Sequence, residues 1–535
     1  MGNTSAHIIA RYLAKAGVKH AFGIPGGEVL AVIDALRDYD IKFNLVKHEN
    51  AGGFMAEGTY HASGAPGVLI ATLGPGVANA INFIANAFQD RVPIIFLTGC
   101  IDEKEAMTYT HQIFDHQALL GPITKATLKV ADGAVEETID KALSIAMDEP
   151  PGPVHIDVPI CVATAEQTAR PPIMRCQPSY GVLDTSTLDK ALTQINRAKR
   201  PVAIAGVGVL QQRAESELKQ FLISHGIPLI TTYKAKGILP EDHPLSLGAT
   251  GLSPKSESIL LPFVEQADLI LLFGYDPIEM RPGWRNVWSE GAIVLEFTTL
   301  VNTHYMHQST QHFYCDLKNA LRQLDSDPAP VSRWSLGEIA AIRQTNQDAF
   351  SSNTIWGPHA IIETARRCLP DDTIATVDTG AHRILLSQLW ICKQARSLFQ
   401  SSGLCTMGVA VPMALGYKMV HPSRPVVAFT GDAGLEMVLG DLASIRDAGL
   451  ALVIVVFVDE SLTLIELKQR AMKYDNIAVD FPHTDFVSIG RAYGFYSEWI
   501  DDTKALASEL NAALTREQTT LLACRIPRQA YDGGF

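Results

Sequence analysis

Short apolar runs alternate with glycine turns and amphipathic stretches along nearly the whole chain. Thr4 to Ala16 predicts an opening helix with a polar start. HAFGIPGGEVLAVIDAL then predicts strand, glycine turn and helix, and IKFNLVKHE predicts a strand ending in His48-Glu49. NAGGFMAEGTYHASG predicts a helix of small residues, able to pack closely on its neighbours. GVLIATLGPGVANAINFIANAFQD repeats strand, Gly-Pro-Gly turn and helix, and VPIIFLTG and PVHIDVP add two buried strands. This βα alternation predicts an open, doubly wound parallel sheet over residues 1–165. The stretch from 166 to about 185, around AEQTARPPIMRCQPSYGVLD, is Pro-rich and aperiodic and suits a linker. Residues 186–330 alternate again: TLDKALTQINRAKRPVAIAGVGV gives helix, strand and a Gly206-x-Gly208 turn, and ADLILLFGYDPIE and GAIVLEF give further buried strands. A second linker with a helix covers 326–356. PHAIIETARRCLPDDTIATVDTG opens a third unit, 357–535, and ends near Asp378, Gly380 and His382. The expected class is α/β, with three doubly wound parallel-sheet domains.

Chemistry concentrates in VVAFTGDAGLEMVLGDLASIRDAGLALVIVVFVDES, Val426 to Ser461. An apolar run ends in Gly431-Asp432-Ala433-Gly434. A helical stretch follows, with Leu435, Met437, Val438, Leu439, Leu442 and Ile445 near helical spacing, and then a second apolar run ending in Asp459. This is a βαβ unit, and its right-handed crossover puts both strand ends on one edge of a sheet. Asp432 and Asp459 then sit together at that edge beside a helix N-terminus. Two carboxylates offer oxygen ligands to Mg²⁺ or Ca²⁺, and the helix start favours a phosphate. Gly-Asp-Ala-Gly alone is equally an ordinary strand-to-helix turn with Asp432 as N-cap.

Composition narrows the partners. The 535 residues argue for about three domains of ~150 residues. A formal charge of −13 without a basic cluster argues against nucleic acid. Eight scattered cysteines, with no C-x-x-C, fit a reducing compartment. No secretory signal pattern opens the sequence, and no apolar run reaches membrane-spanning length. The expectation is a cytoplasmic protein.

The Val426–Ser461 segment resembles the diphosphate-binding motif of thiamine-diphosphate (ThDP) enzymes, in which Gly-Asp-Gly/Ala precedes a later Asn-Asn or Asn-Asp pair. The resemblance implies Asp432, Asp459 and the main-chain carbonyl of Ser461 as Mg²⁺ ligands, with Val458 departing from the family's Asn. GIPGGEVLAVIDAL, KHENAGGFMAEGTYHASGAPGV, LGPGVANAINFIANAFQDRVPIIFLTG and EPPGPVHIDVP resemble successive segments of acetolactate synthases. They imply a cofactor-binding role for Gly26 and a cofactor-activating role for Glu49, the acid that pairs with the aminopyrimidine ring so that C2 of the thiazolium can lose its proton. Position alone would read Glu49 as solvated surface. Gln112 matches a Gln that approaches the reacting centre. His111 and His116 are acid–base candidates or loop histidines, and His116 reads as the latter.

In the third unit Gly380-Ala381-His382 resembles a diphosphate-contacting Gly-Gln-His, and SSGLCTMGVAVPMALG resembles a family segment whose Met, here Met407, wedges the cofactor into its bent form. A core methionine would pack the same way. Cys405 stands where that segment has Gly. Gly431, Ala433 and Gly434 join Asp432 around the diphosphate. Lys468 lies where biosynthetic acetolactate synthases carry a Trp that favours 2-oxobutyrate; it is equally a solvated helix residue. GILPEDHPLSLGATG and LLFGYDPIEMRPGW resemble middle-domain segments, the latter that of FAD-free catabolic acetolactate synthases, and the lone Gly206-x-Gly208 does not by itself specify a nucleotide. The balance leans away from FAD and leaves it open.

The resemblance implies three domains, pyrimidine-binding, middle and diphosphate-binding, and a homodimer or homotetramer in which Glu49 of one subunit meets the diphosphate domain of another. The implied reaction is decarboxylation of a pyruvate-like 2-oxo acid and ligation to a second carbonyl. The alternatives are a benzoylformate-type decarboxylase, a C–C lyase, or a catalytically silent subunit, against which Glu49, Asp432 and Asp459 argue. The adjacent His-His pair of pyruvate decarboxylases is absent.

Overall fold

The computed structural model describes residues 3–168, 181–278, 280–326, 334–351 and 356–535. Most of the Pro-rich stretch 166–185, and parts of 326–356, lie outside the described residues. Three six-stranded parallel sheets follow one another along the chain. The first contains β1 (His20–Ile24), β2 (Lys42–Leu45), β3 (Gly67–Ala71), β4 (Ile94–Cys100), β5 (Ala126–Lys129) and β6 (Pro153–Pro159), in the order β2-β1-β3-β4-β6-β5. The central strands β3 and β6 are buried along their whole length, as expected where helices cover both faces. The edge strand β2 buries only Asn44.

The second sheet contains β7 (Pro201–Ala205), β8 (Leu229–Thr232), β9 (Ser246–Thr250), β10 (Leu269–Phe273), β11 (Ile293–Thr298) and β12 (Gln311–Tyr314), in the order β12-β11-β10-β7-β8-β9. This is the dinucleotide-fold strand order, with the direction of winding reversing between β7 and β10. The third contains β13 (Ile374–Val377), β14 (Leu398–Gln400), β15 (Val426–Gly431), β16 (Val453–Val458), β17 (Tyr496–Ile500) and β18 (Thr520–Arg525), in the order β14-β13-β15-β16-β18-β17. The first and third sheets therefore share one topology, reversing between β1 and β3 and between β13 and β15.

The first and third sheets also share a core. Helix Glu49–Ser63 follows β2 and helix Ala410–Val420 follows β14, and these equivalent helices lie against each other. Phe54, Met55 and Phe83 join Met413, Tyr417 and Leu435 in one apolar cluster. Glycine permits the close approach: a methyl on Gly58 would strike the Met413 carbonyl oxygen, and one on Gly416 the Met55 carbonyl oxygen. The small-residue helix expected from the sequence thus has an identified partner. The second sheet keeps a separate core around Phe221, Phe273 and Phe297.

Two local expectations change. β2 stops at Leu45, and Glu49 is the first residue of the following helix, with His48 as its N-cap. The His48 side chain accepts the Asn50 N–H at 3.1 Å, so the chain turns out of the sheet earlier than its apolar run suggests. After β15 the expected single helix is broken into Asp432–Glu436, a 3₁₀ turn Leu439–Asp441, and Leu442–Ala448. Asp441 accepts the Lys47 N–H at 3.0 Å, an attachment across units that a local apolar pattern does not encode. Met437, counted in the apolar face, is 64% exposed.

Candidate active site

The expected site residues form two groups, each at the switch point of a sheet, where loops diverge and leave a crevice at the carboxyl ends of the strands. The first group surrounds the turn Thr72–Gly76 after β3. Gly74 is the N-cap of helix Pro75–Gln89 and takes φ +66°, a conformation that favours glycine. A methyl on Gly26, after β1, would strike Thr72 Oγ1. Glu49 is 3% exposed; its Oε2 accepts from Asn79 Nδ2 at 3.0 Å. Its Oε1 rests on Gly76, where a Cβ would stand only 3.2 Å away. Gln112 takes φ +59° and lays its backbone against Gly74. Gly26, Glu49 and Gln112 are thus gathered around one turn.

His116 differs from its expected loop setting. It is buried at the start of helix His116–Leu120, with its Nδ1 2.8 Å from Asp157 Oδ1. His111 is exposed, with its ring near Tyr109.

The second group lines a pocket beyond β13, β15 and β16. Gly380, His382, Met407, Gly431, Asp432, Ala433, Gly434, Asp459 and Ser461 all contribute to its wall, together with Phe457 and Tyr531. Asp432 is held from three sides. Its Oδ1 accepts from Ala433 N at 2.8 Å, and its Oδ2 accepts from Asp459 N at 3.0 Å and Glu460 N at 2.7 Å. The two loops are thereby locked with both aspartates side by side. Thr463 Oγ1 donates to Asp459 Oδ2. Burial pushes the Asp432 carboxyl up to about 6 despite the backbone bonds. Burial, and then the neighbouring Asp432, push Asp459 up to about 7. A divalent cation between the two would relieve this repulsion, and oxygen donors of this kind suit Mg²⁺.

His382 stacks on Phe457, with ring centroids 5.3 Å apart and planes at 18°. Burial, reinforced by Arg383, lowers its pKa to about 3, so the ring is neutral. Its Nε2 is buried without a hydrogen-bond partner within the chain. An unpartnered imidazole nitrogen on the wall of a pocket beside two carboxylates fits a phosphate oxygen that brings its own cation. The residues present therefore fit a magnesium diphosphate.

Asp378, singled out in the sequence only as a strand end, organises this pocket. It is fully enclosed and accepts from Gly408 N at 2.9 Å, Val409 N at 3.2 Å and Thr430 Oγ1 at 3.2 Å. A methyl on Gly434 would collide with its Oδ2. One carboxyl group thus joins the Met407 loop to the Gly431–Gly434 turn. Burial raises its pKa, against those bonds. Its signal was legible, an acid closing an apolar strand as Asp432 does. Asn79 and Tyr531 carried no such signal, since their relevance depends on long-range packing. Cys405 stands at φ +54°, where the family segment has glycine; its thiol donates to Ser402 O at 3.0 Å and accepts from Arg383 Nη2 at 3.3 Å. These bonds hold the turn without glycine. Lys468 is exposed on helix Thr463–Ala471, whose first turn lines the pocket.

Neither Glu49 nor Gln112 lines this second pocket. Within one chain the Glu49 helix packs instead on the helix that follows the Met407 loop. That loop is braced by helix Pro75–Gln89 and the residue after it: Asn82 Oδ1 accepts from Thr406 Oγ1 at 3.0 Å, and Asp90 Oδ1 accepts from Gly403 N at 2.6 Å.

The thiamine pyrophosphate enzyme N-terminal TPP binding domain matches residues 3–119, the central domain residues 188–324, and the C-terminal TPP binding domain residues 378–524. An acetolactate synthase of Bacillus subtilis is 26% identical over 97% of this chain and 92% of its own length. The acetolactate synthase large subunit of Lactococcus lactis is 28% identical over 99% and 93%. The acetolactate synthase isozyme 1 large subunit of Escherichia coli is 28% identical over 98% and 94%. The chain belongs to the thiamine pyrophosphate enzyme family, as a ThDP-dependent, acetolactate synthase-like enzyme.

Proposed function

We propose that the protein decarboxylates pyruvate or a close 2-oxo acid and ligates the resulting two-carbon unit to the carbonyl of a second 2-oxo acid, with ThDP and Mg²⁺. The observation that carries this reading is the pair of half-sites: Glu49 and Gln112 around the Thr72–Gly76 turn, and a cation and phosphate pocket around Asp432, Asp459 and His382. The relatives' name points to ligation rather than simple decarboxylation. Bound ThDP would supply the electron sink for loss of carboxylate, chemistry that no side chain offers. Asp432, Asp459 and the Ser461 carbonyl would hold Mg²⁺. His382 and the Gly431–Gly434 turn would hold the diphosphate, Gly26 would let the chain approach the cofactor, and Met407 would support its centre. Glu49, enclosed by Asn79 and Gly76, would hold a proton at N1′ of the aminopyrimidine, and Gln112 would orient the substrate.

Residues 1–165 and 357–535 would be the pyrimidine and diphosphate domains and 186–330 the middle domain. Because Glu49 stands apart from the pocket in its own chain, a second copy would supply it, making the working unit at least a homodimer. The middle domain is read as free of FAD. At its switch point Gly208 N donates to Gly274 O at 3.0 Å, and Cβ atoms on Gly206 and Gly208 would strike the backbone of residues 274–276. These glycines let two turns touch each other rather than a pyrophosphate. The adjoining cavity is lined by Glu149, Asp276 and Glu296 against Arg91, which pairs with Asp276 at 3.3 Å, a balance that disfavours an anion. Among the described residues no helix is long and apolar enough to cross a membrane; a cytoplasmic location remains the expectation.

Purified protein incubated with pyruvate, ThDP and Mg²⁺ should form acetolactate as its main product. Acetaldehyde as the main product would overturn the ligase reading in favour of a decarboxylase, and no pyruvate consumption would overturn pyruvate as donor.

A further inference from the structure

The turn that joins Gly26, Glu49 and Gln112 is itself fixed by a side chain outside the site. Gly74 donates its N–H to His116 Nε2 at 3.3 Å. The backbone can only donate here, so Nε2 must carry a lone pair and the ring proton must reside on Nδ1. Nδ1–H then donates to Asp157 Oδ1 at 2.8 Å. Asp157 is anchored in turn, because Thr98 Oγ1 donates to the same oxygen at 2.7 Å and lies 2.8 Å from His155 Nε2. Burial works against the charge on Asp157, yet the bonds from His116 and His155 hold its carboxyl well below the usual range. His116 and Asp157 are both nearly enclosed, at 6% exposure each. The chain of bonds runs from the end of β4, through β6, to the turn after β3.

We propose that His116 is a positioning residue: a neutral imidazole, locked onto Asp157, that accepts the Gly74 N–H and thereby sets the common wall of Glu49 and Gln112. The assignment rests on the reading of Glu49 and Gln112 given above. Gly76 bears directly on Glu49 Oε1, and Gly74 on the Gln112 backbone. If Gly74 lost its acceptor, the turn could shift, and both groups would shift with it. A displacement of about 1 Å in a reacting group costs on the order of 100-fold in rate.

Two isosteric substitutions separate this role from simple packing. In His116→Gln the side-chain oxygen takes the place of Nε2 and still reaches Gly74. In His116→Asn the amide can satisfy Asp157 but falls short of Gly74. The first readout is backbone hydrogen–deuterium exchange of the segment around Gly74, followed by mass spectrometry in the cofactor-free full chain. Exchange there should rise about 10-fold or more in His116→Asn and stay near wild type in His116→Gln. The second readout is deuterium exchange at C2 of bound ThDP. It should slow about 10- to 100-fold in His116→Asn, with ThDP affinity within about threefold of wild type, and recover in His116→Gln. Equal exchange of the turn in wild type and both variants, or equal impairment in both, overturns the proposal. A wild-type chain that binds no ThDP overturns the functional reading instead, and the first readout still decides the role of His116.

Discussion

Asp432 and Asp459 are two carboxyl groups that the fold keeps largely out of water and beside each other, and their raised proton affinities have consequences of defined sign. The proposed Mg²⁺ binding would need both ionised, so protons would leave as Mg²⁺ enters. Apparent Mg²⁺ affinity, measured by calorimetry in the presence of ThDP, should be nearly constant above pH 8. It should fall as the pH drops through about 7 and about 6, by on the order of 10-fold per unit or more. Asp459→Asn removes one of the two titrating groups and should make that fall shallower. In the cofactor-free protein the sign reverses for folding. Both folded-state values lie above the ordinary 3.8, so the unfolded chain ionises first. The contribution to stability is complete below about 4 and is lost as the pH rises through about 7. Denaturant midpoints between pH 4 and 8, without and with ThDP and Mg²⁺, should show loss with rising pH only in the cofactor-free samples. At the other half-site, Glu49→Gln keeps the shape and removes the proton that the proposed function places there. Turnover should drop about 100-fold or more while ThDP still binds, as fluorescence titration would show.

The elements that hold these residues explain which parts of the architecture were legible. Apolar runs ending in Gly431-Asp432 and in Asp459 predicted β15 and β16, and the alternation of such runs predicted all three sheets. Each of those signals is local. The parts that were misread depend on partners distant in sequence. Glu49 begins a helix because His48 caps it, where the apolar run suggested continuing strand. The stretch after β15 breaks because Asp441 is attached to Lys47, more than three hundred residues away. His116 looked like an unremarkable loop residue because nothing near it in sequence announces Asp157 or Gly74. Cys405 stands where the resembled segment has glycine, and the turn keeps its left-handed residue by giving the thiol two hydrogen-bond partners. The close contact between helices Glu49–Ser63 and Ala410–Val420 was half legible: the small residues were evident, and the facing helix was not. Gly58 and Gly416 sit where each backbone meets the other. Gly416→Ala should therefore destabilise the protein by about 1–3 kcal/mol in urea unfolding, more than the same change at exposed Gly291, which has open space around it and no left-handed backbone.

At the scale of the whole molecule, the chain contains two units of one topology, docked through equivalent helices, and the residues of the proposed site divide between them. The docking uses up the face between them, so the halves within one chain do not meet in the same pocket. A second chain related by a two-fold axis would bring Glu49 and Gln112 of each copy to the Asp432 pocket of the other, a self-complementary arrangement that closes at two sites. The middle sheet, with its own core and its glycines engaged in contact between turns, would then serve as a spacer. Mixing two inactive variants tests this arrangement most directly. Glu49→Gln leaves the Asp432–Asp459 pocket intact, and Asp432→Asn leaves Glu49 intact. When the two are unfolded together, refolded in equal amounts with ThDP and Mg²⁺, and assayed for pyruvate consumption, about half of the dimers will be mixed, each with one fully native site. The expected result is recovery of about a quarter of the activity of wild type treated in the same way. Activity that stays at the level of the separate variants, when refolded wild type recovers its own, would contradict it and place Glu49 and Asp432 of a single chain in one site.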